Sequence, residues 1–289
     1  MRRFTGIHAV LFALFSVEER LDRSAMSAQM AYVQQNGADG VVVLGLATEV
    51  AKLSEAEKRS IIRWAAEDRG PLPLGVTITG NSVAEQASLC AFAIDAGAEW
   101  LILQPPLAGN YGASEYLDFF ARVGEALSVP FAIQNAPQYL GRSLSADDFT
   151  KLARRCPQLT HVKAETTAAD LASFIAAAGD QLTVLNGRGG LEMTDCLRAG
   201  CEGFIVAPDV LPGVAACMRR WLNGDLEGAE AAYADFLPAA LFAMQSLEHL
   251  ACYGKRIFGL RSGVDIYDRA PALRPNDAGL SFVRGWAQS

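Results

Sequence analysis

Leu159-Thr160-His161-Val162-Lys163 is a short, mostly apolar run, too brief for a helix, and it gives way beyond Ala164-Glu165 to helical sequence. The same unit recurs in both directions from it. Before it stand GVVVLG (40–45), LGVTIT (74–79), WLILQ (100–104) and PFAIQ (130–134); after it stand LTVLN (182–186) and GFIV (203–206). A segment near His8–Phe15 completes a set of eight. Runs rich in β-branched and aliphatic residues, with little polar alternation, suit parallel strands covered on both faces. The stretches between them read as helices. Ser54 with Glu57 and Ser82 with Glu85 have capping-box spacing, Ser145 opens another helix, and Gly37, Gly97, Gly179 and Gly200 stand where helices should stop. Eight strand–helix units predict an α/β fold, a closed (β/α)8 TIM barrel. A doubly wound open sheet is the competing arrangement. No G-x-G-x-x-G follows a strand, and NGRGG (186–190) has neither that spacing nor a P-loop Lys-Ser/Thr.

From about Asp225 the pattern becomes wholly helical, with Ala229–Phe242 and Leu247–Phe258 as amphipathic segments and Arg269–Pro275 as a loop. The expected organisation is a barrel over 1–224 and a C-terminal helical extension over 225–289 packed on it. A length of 289 residues, 51% hydrophobic, fits one large barrel. A net charge of −7 with no basic run argues against nucleic acid as a partner. Six cysteines without a C-x-x-C pair read as buried free thiols of a reducing, cytoplasmic setting. His8, His161 and His249 are too scattered for a zinc site, so no metal is expected. Arg2-Arg3 followed by the apolar Ile7–Phe15 resembles a short signal peptide. The acidic Glu18-Glu19 follows at once, without a clear A-x-A site, and favours a first strand. The absence of an 18-residue uncharged apolar run argues against a membrane span.

Barrel chemistry gathers at the C-terminal ends of the strands. Of five lysines, Lys52, Lys58, Lys151, Lys163 and Lys255, only Lys163 ends an apolar strand; the others lie in polar, helical or loop contexts. Burial there disfavours the ammonium, and a neutral amine can attack a ketone. The alternative is a lysine that merely pairs with Glu165 at the rim. His161 and Glu165 flank Lys163 two residues either side, on one face of a regular strand. His161 then reads as a core histidine below the lysine, and Glu165 as either a proton acceptor or a charge partner. Gly45-Leu46-Ala47-Thr48-Glu49 ends the second strand, where small residues let backbone N–H groups approach an anion. Glu49 is a candidate for fixing that loop. Gln104, Gln134 and Asn186 are polar amides at strand ends, suited to substrate contact.

Taken in order, GLATE (45–49), QPP (104–106), QNAP (134–137), VKAE (162–165) and GFIV (203–206) make the chain resemble the dihydrodipicolinate synthase / N-acetylneuraminate lyase family over nearly its whole length. The resemblance implies a Schiff-base Lys163 on the sixth strand and a helical tail that serves oligomer contacts, in a homotetramer or dimer. The departures are equally specific. Leu46 and Ala47 replace the family's hydroxyl pair before the glycine and glutamate, and a hydroxyl appears one place later at Thr48. Gln134 replaces the fifth-strand tyrosine, Pro106 or Leu107 the tyrosine after the fourth strand, and Tyr139 the arginine that binds a second substrate's carboxylate. The altered set looks like the branch that includes L-2-keto-3-deoxyarabonate dehydratase.

That likeness implies a lyase that dehydrates a 2-keto-3-deoxy sugar acid. Lys163 condenses with the C2 ketone, and Glu165, or a water held by Gln134, removes a C3 proton. The backbone and hydroxyl of Ala47-Thr48 hold the carboxylate, and Ile205 packs on the substrate's apolar side. No cofactor is implied, because the imine itself is the electron sink. A retro-aldolase that releases pyruvate from the same iminium is the second reading. A non-catalytic ligand-binding barrel is the third, and a retained strand-end lysine argues against it.

Overall fold

A computed structural model describes residues 2–141 and 143–288. Eight strands, β1 (Gly6–Val10), β2 (Gly40–Val43), β3 (Leu74–Ile78), β4 (Trp100–Leu103), β5 (Phe131–Asn135), β6 (Leu159–Ala164), β7 (Thr183–Asn186) and β8 (Gly203–Val206), close in that order into a barrel. Each strand is followed by a helix: α1 (Arg23–Gln35), α2 (Glu55–Asp68), α3 (Val83–Asp95), α4 (Ala113–Gly124), α5 (Ala146–Arg155), α6 (Ala168–Ala178), α7 (Met193–Arg198) and α8 (Leu211–Leu222). Beyond them come α9 (Leu226–Ala243), α10 (Lys255–Ser262) and α11 (Asp277–Trp286). The expected barrel and its helical tail are therefore both present.

Local chemistry sets the helix limits. Ser54–Glu57 and Ser145–Asp148 form complete capping boxes. At α3 the box is only half made, because Glu85 accepts from the Asn81 N–H while Ser82 caps the Glu85 N–H. Gly37, Gly97, Gly179 and Gly200 all have positive φ just past helix ends, where a side chain would be strained.

The chain divides into two compact units, which are taken in turn. The first comprises 2–6, 74–188 and 192–205. In it the register places Thr77, Ile102, Ala132, His161 and Thr183 side by side, and two residues further on Gln134, Lys163 and Leu185. Alternation sends these to one face, the barrel interior, and their neighbours to the helices: a Cβ on Gly124 of α4 would meet the Phe131 ring. A bulge at Thr160 interrupts the β5–β6 ladder, so the regular alternation starts at His161. His161 is fully buried; its Nε2 accepts the Phe4 N–H at 2.9 Å, and its ring lies against Phe4 and Trp100. It is the core histidine that the spacing suggested.

The second unit comprises 7–73, 189–191 and 206–288. The apolar segment expected to be strand through Phe15 leaves the ladder after Val10. Its backbone is taken up partly by side chains and partly by isolated bridges: Gln29 bonds both Phe12 N–H and Phe12 C=O, the Thr48 hydroxyl donates to Leu11 C=O at 2.6 Å, and Phe15 bridges Leu21 and Tyr267. Helices α8 and α9 meet closely because Gly213 leaves room for Phe236. Phe258 of α10 packs edge-on to Tyr32 of α1 and against Phe12. The segment read as one helix over 247–258 contains a π-helical stretch at Leu250–Gly254. Asp209, beyond β8, is 1% exposed and neither carboxyl oxygen has a side-chain hydrogen-bond partner among the described residues. Burial pushes its pKa up to about 6. All six cysteines are buried and free, and burial pushes the Cys90 and Cys196 thiols up to about 12, out of reach of thiolate chemistry.

Candidate active site

Lys163 is the last interior residue of β6, and its Nζ lies 2.7 Å from Glu165 Oε1, both side chains almost wholly buried. Glu165 follows the strand directly, with its N–H bonded to Asn135 C=O at 2.9 Å. That bond continues the β5–β6 ladder one step and keeps the carboxyl on the lysine's face. The same Oε1 accepts from Gln134 Nε2 at 3.0 Å, and Gln134 Oε1 accepts from Gln104 Nε2 at 2.9 Å. Gln86 Nε2 in turn donates to the Gln104 backbone oxygen at 2.7 Å. Gln104, Gln134, Lys163 and Glu165 are each no more than 3% exposed. Glu165 Oε2 is buried and has no partner among the described residues.

A carboxylate can only accept hydrogen bonds. Its presence therefore fixes the polarity of the row: each amide shows its NH2 toward Glu165 and its oxygen away from it. A buried lysine and carboxylate in contact can exchange a proton without solvent, leaving a neutral amine beside a carboxylic acid. That is the state in which an amine is nucleophilic.

Gly187, just past β7, belongs to NGRGG (186–190), a glycine-rich run without nucleotide-binding spacing. A Cβ there would stand 2.7 Å from Glu165 Oε1 and 2.8 Å from Lys163 Cε. The missing side chain is the space that the ion pair fills. Leu185 is the register partner of Lys163, and Ile205 lies two residues beyond Gly203, the partner of Leu185, so both share the lysine's face. Asn186 pairs with Ala164 instead; its oxygen accepts the Arg188 N–H at 3.0 Å and its Nδ2 has no partner among the described residues. Tyr139 lies in the helical turn Pro137–Leu140, and its phenol is pushed above the usual tyrosine range by burial and by the charge of Glu165. Arg188 bonds Thr166 C=O at 3.3 Å and Glu192 at 2.5 Å, which ties down the loop after β7.

In the other unit, Ala47 and Thr48 form a 3-10 turn, Leu46–Thr48, directly after β2, and both are buried. The Thr48 hydroxyl proton is already committed to Leu11 C=O. Glu49 follows in a left-handed conformation, and its carboxylate is clasped by Lys52 and Lys255. It holds the loop, as one reading of the sequence anticipated. Lys255, expected among the lysines of polar, helical or loop contexts, is 1% exposed. Its ammonium lies 5.1 Å from the Phe15 ring centre.

Residues 3–252 match the Dihydrodipicolinate synthetase family. The chain is 27% identical to the 4-hydroxy-tetrahydrodipicolinate synthase of Methanosarcina acetivorans, with 95% of this chain and 94% of that protein aligned. It is 26% identical to the L-2-keto-3-deoxyarabonate dehydratase of Azospirillum brasilense, over 82% of this chain and 78% of the other. Among solved structures, dihydrodipicolinate synthase from Aquifex aeolicus superposes with a TM-score of 0.91 at 20% identity, covering 99% of this chain and 97% of that one. YagE, an Escherichia coli K12 prophage protein of the dihydrodipicolinic acid synthase family in complex with pyruvate, gives 0.89 at 21% identity, covering 99% and 98%.

Proposed function

The chain belongs to the dihydrodipicolinate synthetase family, and on that footing we propose that it is a Schiff-base lyase that dehydrates a 2-keto-3-deoxy sugar acid, such as L-2-keto-3-deoxyarabonate. The observation that carries this reading is the buried Lys163–Glu165 contact of 2.7 Å with an amide, Gln134, hydrogen-bonded to the same carboxyl.

Lys163 passes a proton to Glu165 and attacks the C2 ketone as a neutral amine. Glu165 returns that proton to the hydroxyl of the resulting carbinolamine, which leaves as water to give an iminium that acidifies C3. Glu165 takes the C3 proton, and the enamine expels the C4 hydroxyl as water. Gln134 cannot be the base, since a neutral amide has no suitable pKa. Its part is to donate to Glu165. The backbone around Ala47-Thr48 receives the C1 carboxylate, Ile205 packs on the apolar side of the substrate, and Asn186 stands at the rim as a further contact. The imine is the electron sink, so the scheme calls for no added cofactor. In this reading the protein is cytoplasmic, and the helical extension 225–289 carries the contacts of a homo-oligomer.

The test is incubation with 2-keto-3-deoxy pentonates and hexonates, scoring the dehydrated oxo acid against pyruvate. Dehydrated product is expected. Pyruvate and an aldehyde would instead make the protein a retro-aldolase. Tight reversible binding of one 2-oxo acid without any turnover would make it a binding protein.

A further inference from the structure

We propose that Gln104 is a positioning residue for this reaction: acting through Gln134, it keeps Glu165 Oε1 an acceptor once the imine has formed, so that the C3 proton travels on Glu165 Oε2. The proposal rests on the reading of Lys163 and Glu165 given above.

A primary amide has a donor end and an acceptor end, and it reverses both together. While Glu165 is ionised, its charge alone would hold the Gln134 NH2 toward it. Once Glu165 takes up a proton, that hold disappears, and a free Gln134 could turn its oxygen to the new O–H. Gln104 prevents the turn. Its Nε2 donates to Gln134 Oε1 at 2.9 Å, and reversing Gln134 would bring two NH2 groups face to face. Gln104 is itself held at the end of β4, where Gln86 bonds its backbone oxygen at 2.7 Å. All of these side chains are buried, so water does not compensate a broken link cheaply.

Oε1 is the oxygen that the Gln134 N–H at 3.0 Å and the Lys163 nitrogen at 2.7 Å both address. A protonated iminium keeps one N–H, so the second contact survives imine formation. A proton on Oε1 would face two donors. Oε2 is buried and has no partner among the described residues, and is left as the oxygen that can take one up. In the dehydration the C3–H bond breaks, its proton goes to Oε2, and its electron pair forms the C2–C3 enamine. The enamine then re-forms the iminium as the C4–O bond breaks, and the departing oxygen takes the proton from Oε2 and leaves as water. Hydrolysis of the unsaturated iminium returns Lys163. One carboxyl oxygen serves first as base and then as acid.

The test uses the full chain with pyruvate, which has a C3 methyl and no leaving group. Borohydride trapping with mass mapping reads imine formation at Lys163. Loss of the methyl proton signal in D2O, followed by NMR, reads proton transfer. Gln104→Leu should trap as the wild type does yet exchange about tenfold more slowly, a fraction of the ~10²–10⁴ that a positioned base contributes. Gln104→Glu can donate to Gln134 only while its new carboxyl is protonated. Its exchange should therefore fall as pH rises, which loss of packing alone would not produce. Gln104→Leu added to Gln134→Leu should slow exchange no further than Gln134→Leu alone, because both act through one row. Wild-type exchange in Gln104→Leu, equal loss of trapping and exchange, or additive effects in the double variant would each overturn the proposal. If the wild type traps no pyruvate, the reading of Lys163 falls and takes this proposal with it. A wild type that traps but does not exchange removes Glu165 as the base and leaves the Schiff base standing.

Discussion

Two buried lysine–carboxylate contacts in this molecule resemble each other until their remaining valences are counted. In one, Glu49 spends both oxygens, Oε1 on Lys255 and Oε2 on Lys52, and the Lys255 ammonium lies against the Phe15 ring. Lys52 also donates to the Arg269 carbonyl at 3.2 Å. In the other, Glu165 gathers Lys163 and Gln134 onto one oxygen and leaves the second buried and unbonded among the described residues. Burial would push the Glu49 carboxyl up, but Lys255 and Lys52 together hold it below the usual range. Burial also lowers Lys255 against the pull of Glu49. Judged by burial and a depressed pKa alone, Lys255 would be nominated for amine chemistry. The comparison teaches that a saturated pair is a fastening and that an unsaturated one is a candidate site.

The largest effect should come from treating the two lysines alike. Pyruvate with borohydride should modify Lys163 and leave Lys255 untouched, as read by peptide mass mapping. Lys163→Ala should abolish trapping and lower turnover by roughly 10⁴-fold or more, the scale on which removing a covalent nucleophile acts. A label on Lys255 would reverse the comparison outright.

The converse substitution should act on stability. Lys255→Met leaves the Glu49 carboxylate inside the protein with Lys52 as its remaining ammonium partner, a loss of about 3–5 kcal/mol for a broken buried pair. Urea unfolding should show it, and adding Glu49→Gln should recover part of the loss by removing the stranded charge. In whatever fraction remains folded, pyruvate should still trap on Lys163. A Lys255→Met protein as stable as the wild type would mean that the Glu49 cluster fastens nothing.

Asp209 extends the contrast to a buried carboxyl with no side-chain hydrogen-bond partner among the described residues. Its folded pKa of about 6 lies above the ordinary aspartate value, so the folded state holds the proton longer than the unfolded one. Below about pH 4 the group is protonated in both states and costs nothing. As pH rises from about 4 to 6, the wild type should lose up to about 3 kcal/mol on this account, the loss being complete above 6. Asp209→Asn should lack that loss and be the more stable protein at pH 8, with the gap closing toward pH 4. Unfolding curves for the pair at both ends of the range measure it. A gap that does not change with pH would show that Asp209 is not the group that titrates.

How much of this could be read beforehand depends on how far the signal lies from the residue concerned. The strands were legible because a barrel core imposes itself on every run: Val41-Val42-Val43 and Trp100-Leu101-Ile102-Leu103 are wholly buried and need to be apolar throughout. Lys163 stood out because a charge at the end of such a run is locally anomalous. Lys255 did not, because its helix carries Arg256 and Arg261 as well, and Glu49, the carboxylate it bonds, is 206 residues away. Gly187 was equally silent. It sits in a glycine-rich loop where flexibility is the obvious account, whereas its use is to leave room for two side chains from another strand. The amide row was visible only as separate residues, QPP and QNAP, since its direction is set by a carboxylate on a third strand. The first strand was overread through Phe15 because apolar sequence says that a segment is buried, and not which groups satisfy its backbone.

The smallest effect expected is also the one that bears most directly on the unsaturated pair. Gln134→Tyr places a phenol where an amide now donates to Glu165 and accepts from Gln104. A phenol has a single hydrogen, so it can serve Glu165 and still accept from Gln104, but its ring sets the oxygen at a different distance from the strand. Any bond it fails to make leaves a buried polar group unsatisfied, at about 1–3 kcal/mol. The partners that a tyrosine would find in a relay of hydroxyls are also missing, since Leu46 and Leu107 stand where a hydroxyl and a second phenol are expected. Lys163 keeps its own contact with Glu165, so imine formation should continue. The variant should therefore trap pyruvate normally while dehydration slows by about tenfold, a modest share of what a positioned base contributes, and it should not acquire turnover of pyruvate with aspartate semialdehyde. Single-turnover trapping and steady-state product release, measured on the same preparation, separate the two steps. If Gln134→Tyr keeps full turnover, the amide is a bystander, and Glu165 needs nothing beyond Lys163 to hold its spare oxygen in place.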